Sequence, residues 1–298
     1  MMKRLITASC LALFLLVSPA GAQERYPNHP LPQQPDTLRI LAIGNSFSDD
    51  ATEYLPGLLE AAGIHNVILG RLYIGGCTLE RHCTEFETNG HEYVYKKSLH
   101  NQWETVKKYQ EGSFMDGLGD EPWDIITLQQ GSPKSGRWDS YDPWLPKLIE
   151  IVRQNCSNPE ASIVWHQTWA YARDYQNRSF ANYTYSQPLM YASIESCVAK
   201  LRGDYDIPVV IPSGVAVQNL RREGTIETPR EFTRDGFHMD YKYGRYLTAC
   251  VWFETLIGPV FGAEILGNSF RNQGTENEIT PQEAWILQKA AVKAARYW

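Results

Sequence analysis

Residues 38–48 read Leu38-Arg39-Ile40-Leu41-Ala42-Ile43-Gly44-Asn45-Ser46-Phe47-Ser48. The apolar run ending at Gly44 has the length and continuity of a strand buried on both faces. A short polar turn follows. Leu55, Leu58, Leu59 and Ala62 then recur at helical spacing before Gly63, which predicts a helix over 50–62. Strand, polar turn and helix in succession form the opening unit of an α/β domain.

The same alternation continues outward from this stretch. Further strands are predicted at Val67–Ile74, ending at Gly75-Gly76, and at Asp124–Leu128, Ala161–His166 and Ile207–Ile211. Helices are predicted over Glu92–Gln110, Leu145–Gln154, Pro188–Leu201, Val215–Arg222 and Tyr241–Leu256, and a final one starts at Pro281. Such spacing implies right-handed crossovers and one sheet covered on both faces. The expected architecture is a three-layer α/β/α sandwich with a central, mostly parallel five-stranded sheet, flavodoxin-like in plan.

The chain has 298 residues, 43% hydrophobic and 21% charged, which is a globular composition large enough to bury its own core. A formal charge of -6 argues against nucleic acid as a partner. Residues 1–22 read as a signal peptide: Lys3 and Arg4, an apolar run from Leu5 to Val17, and Ala20-Gly21-Ala22 as a small-residue cleavage site. The run is too short for a comfortable membrane span, so no stable membrane insertion is expected after cleavage. Residues 23–36, with four prolines, form an extended leader, and residues 37–298 form one domain. The expected location is periplasmic or secreted.

In an oxidising compartment, Cys77 and Cys83 are close enough in sequence to clip a loop, while Cys250 reads as a buried thiol. No Asp-x-Asp-x-Asp-Gly loop, His-Glu-x-x-His helix or Gly-rich phosphate loop occurs, so neither a metal nor another cofactor is expected.

Ligands of open α/β sheets bind beyond the carboxyl ends of the strands. Ser46 lies there, at the start of a helix whose N–H groups can hold a developing oxyanion. The bland alternative is a turn in which Ser48 caps the helix. Near the other end, Asp235-Gly236-Phe237-His238 places a carboxylate three residues before an imidazole, the spacing at which one can orient the other. Its alternative is a helix start with His238 on the surface.

Taken together, the Gly44-Asn45-Ser46-Phe47-Ser48 turn and the late Asp235-x-x-His238 resemble the SGNH (GDSL-like) hydrolase superfamily. The likeness is to an exported branch described as a domain of unknown function. Leu128-Gln129-Gln130-Gly131-Ser132 and His166-Gln167-Thr168-Trp169 fit that branch, and the resemblance runs from about Leu38 to Leu256. It implies the SGNH fold, with Ser46 as nucleophile, His238 as base and Asp235 as its partner.

The resemblance further implies three oxyanion donors: the Ser46 N–H, a glycine after the second strand and a side-chain amide after the third. Gly76 is the first candidate for the glycine, with Gly75 close behind. The superfamily's usual Gly-x-Asn-Asp is replaced by Gly131-Ser132-Pro133, so the amide falls to Gln129 or Gln130, with Gln129 preferred. Strand alternation turns these two to opposite sides. His166 and Trp169 are candidates for lining the substrate pocket.

The expected function is that of an exported serine esterase acting on an acylated carbohydrate, above all an O-acetyl group. Aromatic residues crowd the loops after the third and fourth strands, among them Trp138, Tyr171 and Tyr175, and suit sugar rings. A lipid or thioester hydrolase of the same fold is the first alternative. A catalytically silent carbohydrate-binding protein is the second.

Overall fold

A computed structural model describes residues 28–99, 101–105, 111–228, 230–272 and 274–298. The segment read from sequence as a signal peptide, residues 1–22, lies outside them. The strands are β1 (Leu38–Gly44), β2 (Val67–Tyr73), β3 (Val94–Leu99), β4 (Gln102–Thr105), β5 (Ile125–Leu128), β6 (Ser162–His166) and β7 (Val210–Ile211). They form one sheet in the order β4-β3-β2-β1-β5-β6-β7. Five neighbours, β2-β1-β5-β6-β7, run parallel, and β3 and β4 add an antiparallel edge. Every residue of β5 and β6 is buried, as a parallel strand covered on both faces requires.

The expected five-stranded parallel core is therefore present within a sheet of seven. The difference lies in residues 92–110, predicted as helix, whose described part is the β3–β4 hairpin. Tyr95 and Ser98 of β3 are buried, and Asn101 takes the left-handed conformation (φ 59°) at the turn. Lys96 and Lys97 reach Asp49 and Asp120, each at 2.7–2.8 Å. Trp103 of β4 lies over the buried guanidinium of Arg71, 3.6 Å from its ring centre. These are tertiary partners, and they override the helical propensity of a Lys- and Glu-bearing segment.

The helices are α1 (Ser46–Thr52), α2 (Leu55–Ala61), α3 (Leu79–Glu87), α4 (Phe114–Leu118), α5 (Trp144–Asn155), α6 (Gln187–Asp204), α7 (Ser213–Glu223), α8 (Gly244–Trp252), α9 (Gly258–Phe261) and α10 (Pro281–Ala295). A π turn, Phe253–Ile257, joins α8 to α9. The helix predicted over 50–62 is two helices, the second starting with Pro56 in its first turn, where proline is tolerated. Helices α1, α2, α7 and α10 pack around α8, and α3, α4 and α5 pack together as a second group. Thr280 and Glu283 form a reciprocal cap at the start of α10.

Part of the proline-bearing leader is tied down. The side chain of Asn28 donates to the Ile163 carbonyl and accepts from the Ile163 N–H, both at 2.8 Å, and Ser162 Oγ donates to the Pro30 carbonyl at 2.6 Å. The expected Cys77–Cys83 clip is absent: both are buried free thiols. Cys83 sits inside α3 with its Sγ 3.4 Å from the Trp144 carbonyl, whereas Cys77 precedes that helix's Thr78 cap. Cys250 is a buried thiol, as expected.

Candidate active site

The chain leaves β1 at a topological switch point, because β2 lies on one side of it and β5 on the other. Asn45 caps α1: its Oδ1 accepts the Phe47 N–H at 2.9 Å. Its Nδ2 donates to the Cys77 carbonyl at 2.9 Å, which pins the turn after β1 to the turn after β2. Ser48 is not the cap, since its Oγ donates back to the Asn45 carbonyl. Ser46 is thus the first residue of the helix. Among the described residues, neither its N–H nor that of Gly76 has an acceptor.

The Asp235-Gly236-Phe237-His238 turn closes over this serine. Ser46 Oγ and His238 Nε2 stand 2.9 Å apart, and His238 Nδ1 is 2.6 Å from Asp235 Oδ2. The other Asp235 oxygen accepts the N–H groups of Phe237 and His238 at 3.1 and 2.8 Å. Burial acts to raise the Asp235 pKa, but the bonds from the His238 ring and from these two N–H groups outweigh it and hold the carboxyl below its ordinary range. Gly236 has φ 101°, and a Cβ there would fall 2.5 Å from the Tyr175 ring, so only glycine fits. An imidazole held in this way has the geometry to accept a proton from Ser46 Oγ at Nε2, with Asp235 beside Nδ1 to stabilise the resulting charge.

A second carboxylate anchors the turn. Asp50 is 1% exposed and lies one turn beyond Ser46 in α1. It accepts from Arg234 Nη1 through both oxygens at 3.0 Å, from Arg245 Nε at 2.9 Å and from the Met239 N–H at 3.0 Å. Residues 234 and 239 flank Asp235–His238 directly. The sequence reading missed Asp50, although its i+4 spacing from Ser46 places both on one helix face.

Ser46, Gly76 and His238 line one cleft of about 450 Å³. Gln129 and Gln130 do not, which corrects the expectation of a glutamine oxyanion donor. Gln129 Nε2 donates to Asn45 Oδ1 at 2.8 Å, and its Oε1 lies 3.0 Å from His166 Nδ1. Gln130 Nε2 donates to the Ser140 carbonyl at 3.0 Å, while its Oε1 accepts from Leu79 N and Gly131 N. Both amides are buried and fully engaged in joining loops.

The polar group that does face the cleft from this loop is Ser132. Its Oγ is 2.9 Å from the Tyr171 hydroxyl. The preceding Gly131 lies so close to the Gly76–Cys77 turn that a Cβ would sit 3.0 Å from the Cys77 carbonyl oxygen. Ser132 is thereby seated beside the Gly76 turn.

His166 and Trp169 are also corrected, because neither reaches the cleft. His166 is enclosed between Gln129 and Ser213, whose Oγ is 3.0 Å from its Nε2, and burial pushes its pKa down to about 3. Trp169 is fully buried, stacks on Phe47 with ring centres 4.3 Å apart, and donates its Nε1–H to the Phe237 carbonyl at 2.7 Å. It braces the residues next to Ser46 and His238. Of the loop aromatics named from sequence, Tyr171 and Tyr175 line the cleft, joined by Tyr73 and Phe237. Tyr141 and Tyr183 are packed in the core. Among the described residues there is no group of three His, Cys, Asp or Glu side chains placed to hold a metal ion, and no helix long and apolar enough to cross a membrane.

Residues 39–294 match the family described as domain of unknown function DUF4886. The solved structure of a DUF4886 family protein from Bacteroides uniformis is 39% identical, covers 88% of this chain and 96% of its own, and superposes with a TM-score of 0.78. An acetylxylan esterase from Geobacillus stearothermophilus is 12% identical over 75% of this chain and 96% of its own, with a TM-score of 0.47. A GDSL-like lipase from Bacteroides thetaiotaomicron is 11% identical over 74% and 85%, with a TM-score of 0.40. Among curated proteins, none is significantly similar in sequence.

Proposed function

The chain belongs to the DUF4886 family, and from that premise we propose that it is an exported serine esterase that removes an acyl group, preferentially acetyl, from a carbohydrate. The observation that carries this reading is the row Ser46–His238–Asp235, with separations of 2.9 and 2.6 Å, at the edge of an open cleft. Export rests on the signal-like residues 1–22.

Ser46 Oγ attacks the ester carbonyl carbon as its proton passes to His238 Nε2. The carbonyl oxygen becomes an oxyanion held by the N–H groups of Ser46 and Gly76 and by the Ser132 hydroxyl. When the Tyr171 hydroxyl donates to Ser132 Oγ, the serine proton is free to point into the cleft. Collapse of the tetrahedral adduct breaks the bond to the sugar oxygen, which leaves with the proton from Nε2. Water then attacks the acyl-serine, giving its proton to His238, and the carboxylic acid departs as Ser46 is regenerated. Asp235, held ionised, fixes the Nδ1–H tautomer and stabilises the imidazolium.

The carbohydrate assignment is supported by the cleft wall, where the rings of Tyr73, Tyr171, Tyr175 and Phe237 alternate with Asn177 and Ser179. Flat aromatic faces interleaved with short hydrogen-bonding groups suit a polyhydroxylated ring better than an alkyl chain. Acetate release from a panel of acetylated glycans, compared with short- and long-chain p-nitrophenyl esters, tests this. Activity confined to long-chain esters would refute it.

A further inference from the structure

His166, the last residue of β6, is a buried imidazole that the catalytic row does not use. Its Nδ1 is 3.0 Å from Gln129 Oε1, just after β5, and its Nε2 is 3.0 Å from Ser213 Oγ, at the start of α7 after β7. Gln129 Nε2 continues to Asn45 Oδ1 at 2.8 Å, just after β1. Asn45 Nδ2 then donates to the Cys77 carbonyl at 2.9 Å, in the turn after β2. Ser213, His166, Gln129, Asn45 and Cys77 thus stand at the ends of β7, β6, β5, β1 and β2, the order in which these strands lie side by side. Their bonds form one line across the carboxyl ends of the parallel sheet, about 19 Å long at about 4.8 Å between neighbouring strands.

Donor and acceptor roles along the line follow from its fixed end. The Phe47 N–H can only donate, and Asn45 Oδ1 accepts it at 2.9 Å. The Cys77 carbonyl can only accept, so the Asn45 NH₂ faces it. Gln129 must then present its own NH₂ to Asn45 Oδ1, which turns Oε1 toward His166 and requires a hydrogen on Nδ1. Burial pushes the ring's pKa down to about 3, so at neutral pH it carries that one hydrogen, and Nε2 accepts from the Ser213 hydroxyl. Every group donates in the same direction, toward Cys77, an arrangement in which hydrogen bonds reinforce one another. Gln129 lies so close over Gly44 that a Cβ there would fall 3.0 Å from its Cδ, so the glycine before Asn45 makes room for the line.

The line ends at the oxyanion site. Ile74-Gly75-Gly76-Cys77 is a turn closed by the Cys77 N–H donating to the Ile74 carbonyl at 3.2 Å, with Gly76 at φ 64°. Two bonds join this turn to the one that carries Ser46: Asn45 Nδ2 to the Cys77 carbonyl at 2.9 Å, and the Ile74 N–H to the Gly44 carbonyl at 3.4 Å. The second is long for such a bond. The spacing of the Ser46 and Gly76 N–H groups therefore rests mainly on the orientation of the Asn45 amide.

We propose that His166 is a positioning residue: acting through Gln129, it holds the Asn45 amide in the orientation that aligns the two backbone oxyanion donors. This role rests on the esterase reading and assigns part of its rate to a ring that never meets the substrate. The aligned N–H groups gain most when charge develops on the carbonyl oxygen, so misalignment lowers kcat rather than raising KM.

The test pairs kinetics on p-nitrophenyl acetate with heteronuclear NMR. His166→Leu should lower kcat about 10–100-fold with KM within about twofold of wild type. His166→Asn, whose NH₂ can stand in for the Nδ1–H, should recover most of that loss. Gln129→Leu should fall as far as His166→Leu, and combining the two should add little, because both cut one line. Trp252→Phe disturbs packing against the same ring, whose centre lies 5.1 Å away, and should lower the melting temperature while leaving kcat unchanged. In wild type and in Ser46→Ala the His166 proton should sit on Nδ1 from about pH 5 to about pH 8. The Gly76 amide resonance should move in His166→Leu and return toward its wild-type position in His166→Asn. Equal losses in His166→Asn and His166→Leu, additive losses in the double variant, or a matching fall in Trp252→Phe would overturn the proposal. So would a proton on Nε2, or a Gly76 resonance that ignores His166→Leu. The NMR readouts need no turnover. A wild type without esterase activity but with both NMR signatures refutes the esterase reading, whereas an active wild type lacking them refutes the role of His166.

Discussion

The carboxylate of Asp50, one helical turn beyond Ser46, accepts the backbone N–H of Met239, the residue after His238, at 3.0 Å. The same carboxylate binds Arg234, the residue before Asp235. One buried charge thus ties the serine's helix to both ends of the turn that carries the base, across more than 180 residues of sequence. The link holds the Ser46 helix and the His238 turn together independently of the Ser46–His238 hydrogen bond.

Asp50→Ala should leave two arginines beside an empty buried site and lower stability by about 3–5 kcal/mol, the range seen when one partner of a buried ion pair is removed. Asp50→Asn keeps an acceptor for Met239 but loses the charge. It should fold, with kcat lowered about 10–100-fold and KM little changed, the signature of a misaligned reacting pair. Urea unfolding and steady-state kinetics on p-nitrophenyl acetate measure both. Wild-type kcat in Asp50→Asn would mean that the turn holds its place without this anchor.

Removal of the Ser132 hydroxyl should act on the transition state. A lost oxyanion donor lowers kcat by about 10²–10³, and Ser132→Ala should approach the lower figure with KM unchanged. Tyr171→Phe should produce a smaller fall, because it removes only the group that orients Ser132. A rise in KM alone would instead make Ser132 a contact to the sugar.

Asp235→Asn should preserve folding, since the amide oxygen can still accept the N–H groups of Phe237 and His238. Its NH₂ group favours the wrong tautomer of the ring, and in a serine protease the equivalent change lowered kcat by about 10⁴. His238→Ala should be the more damaging of the two. Nearly wild-type rates in Asp235→Asn would show that the ring is oriented by other groups.

Two buried histidines give stability a pH dependence apart from catalysis. Burial pushes His166 and His82 down to about 3, with Arg81 adding to the effect at His82. An unfolded histidine titrates near about 6.5. Between these values the unfolded chain binds more protons than the folded one, so stability falls as pH drops from about 6.5 towards about 3. Melting temperatures measured from pH 7 to pH 4 should decline along this window. The decline should be shallower in His82→Phe, which also removes the unpartnered Nε2 of that ring. An equal slope in the variant would contradict the assignment.

The parallel core and the paired ends of the site are legible in the sequence for a shared reason. Ser46 follows an apolar strand without interruption, and Asp235 and His238 sit at a spacing that works locally. The β3–β4 hairpin is not legible, because its strand character comes from pairing with β2 and from ion pairs to Asp49, Asp120 and Glu121. Alternation correctly separates Gln129 from Gln130, yet it cannot say that Asn45 and Ser140 take both amides. His166 and Trp169 have the composition of pocket residues but lie one layer below the cleft. Ser132 carries no local signal at all; its neighbour Tyr171 comes from the loop after the next strand.

The central claim is that Ser46 becomes acylated, and trapping that adduct tests it most directly. After brief exposure to p-nitrophenyl acetate and acid quench, peptide mass spectrometry should find one acetyl group on the peptide containing Ser46. The label should be absent in Ser46→Ala and greatly slowed in His238→Ala, with acetate release falling in parallel. Hydrolysis at the wild-type rate in Ser46→Ala, or acetyl transfer to another residue that kinetically accounts for turnover, would contradict the account.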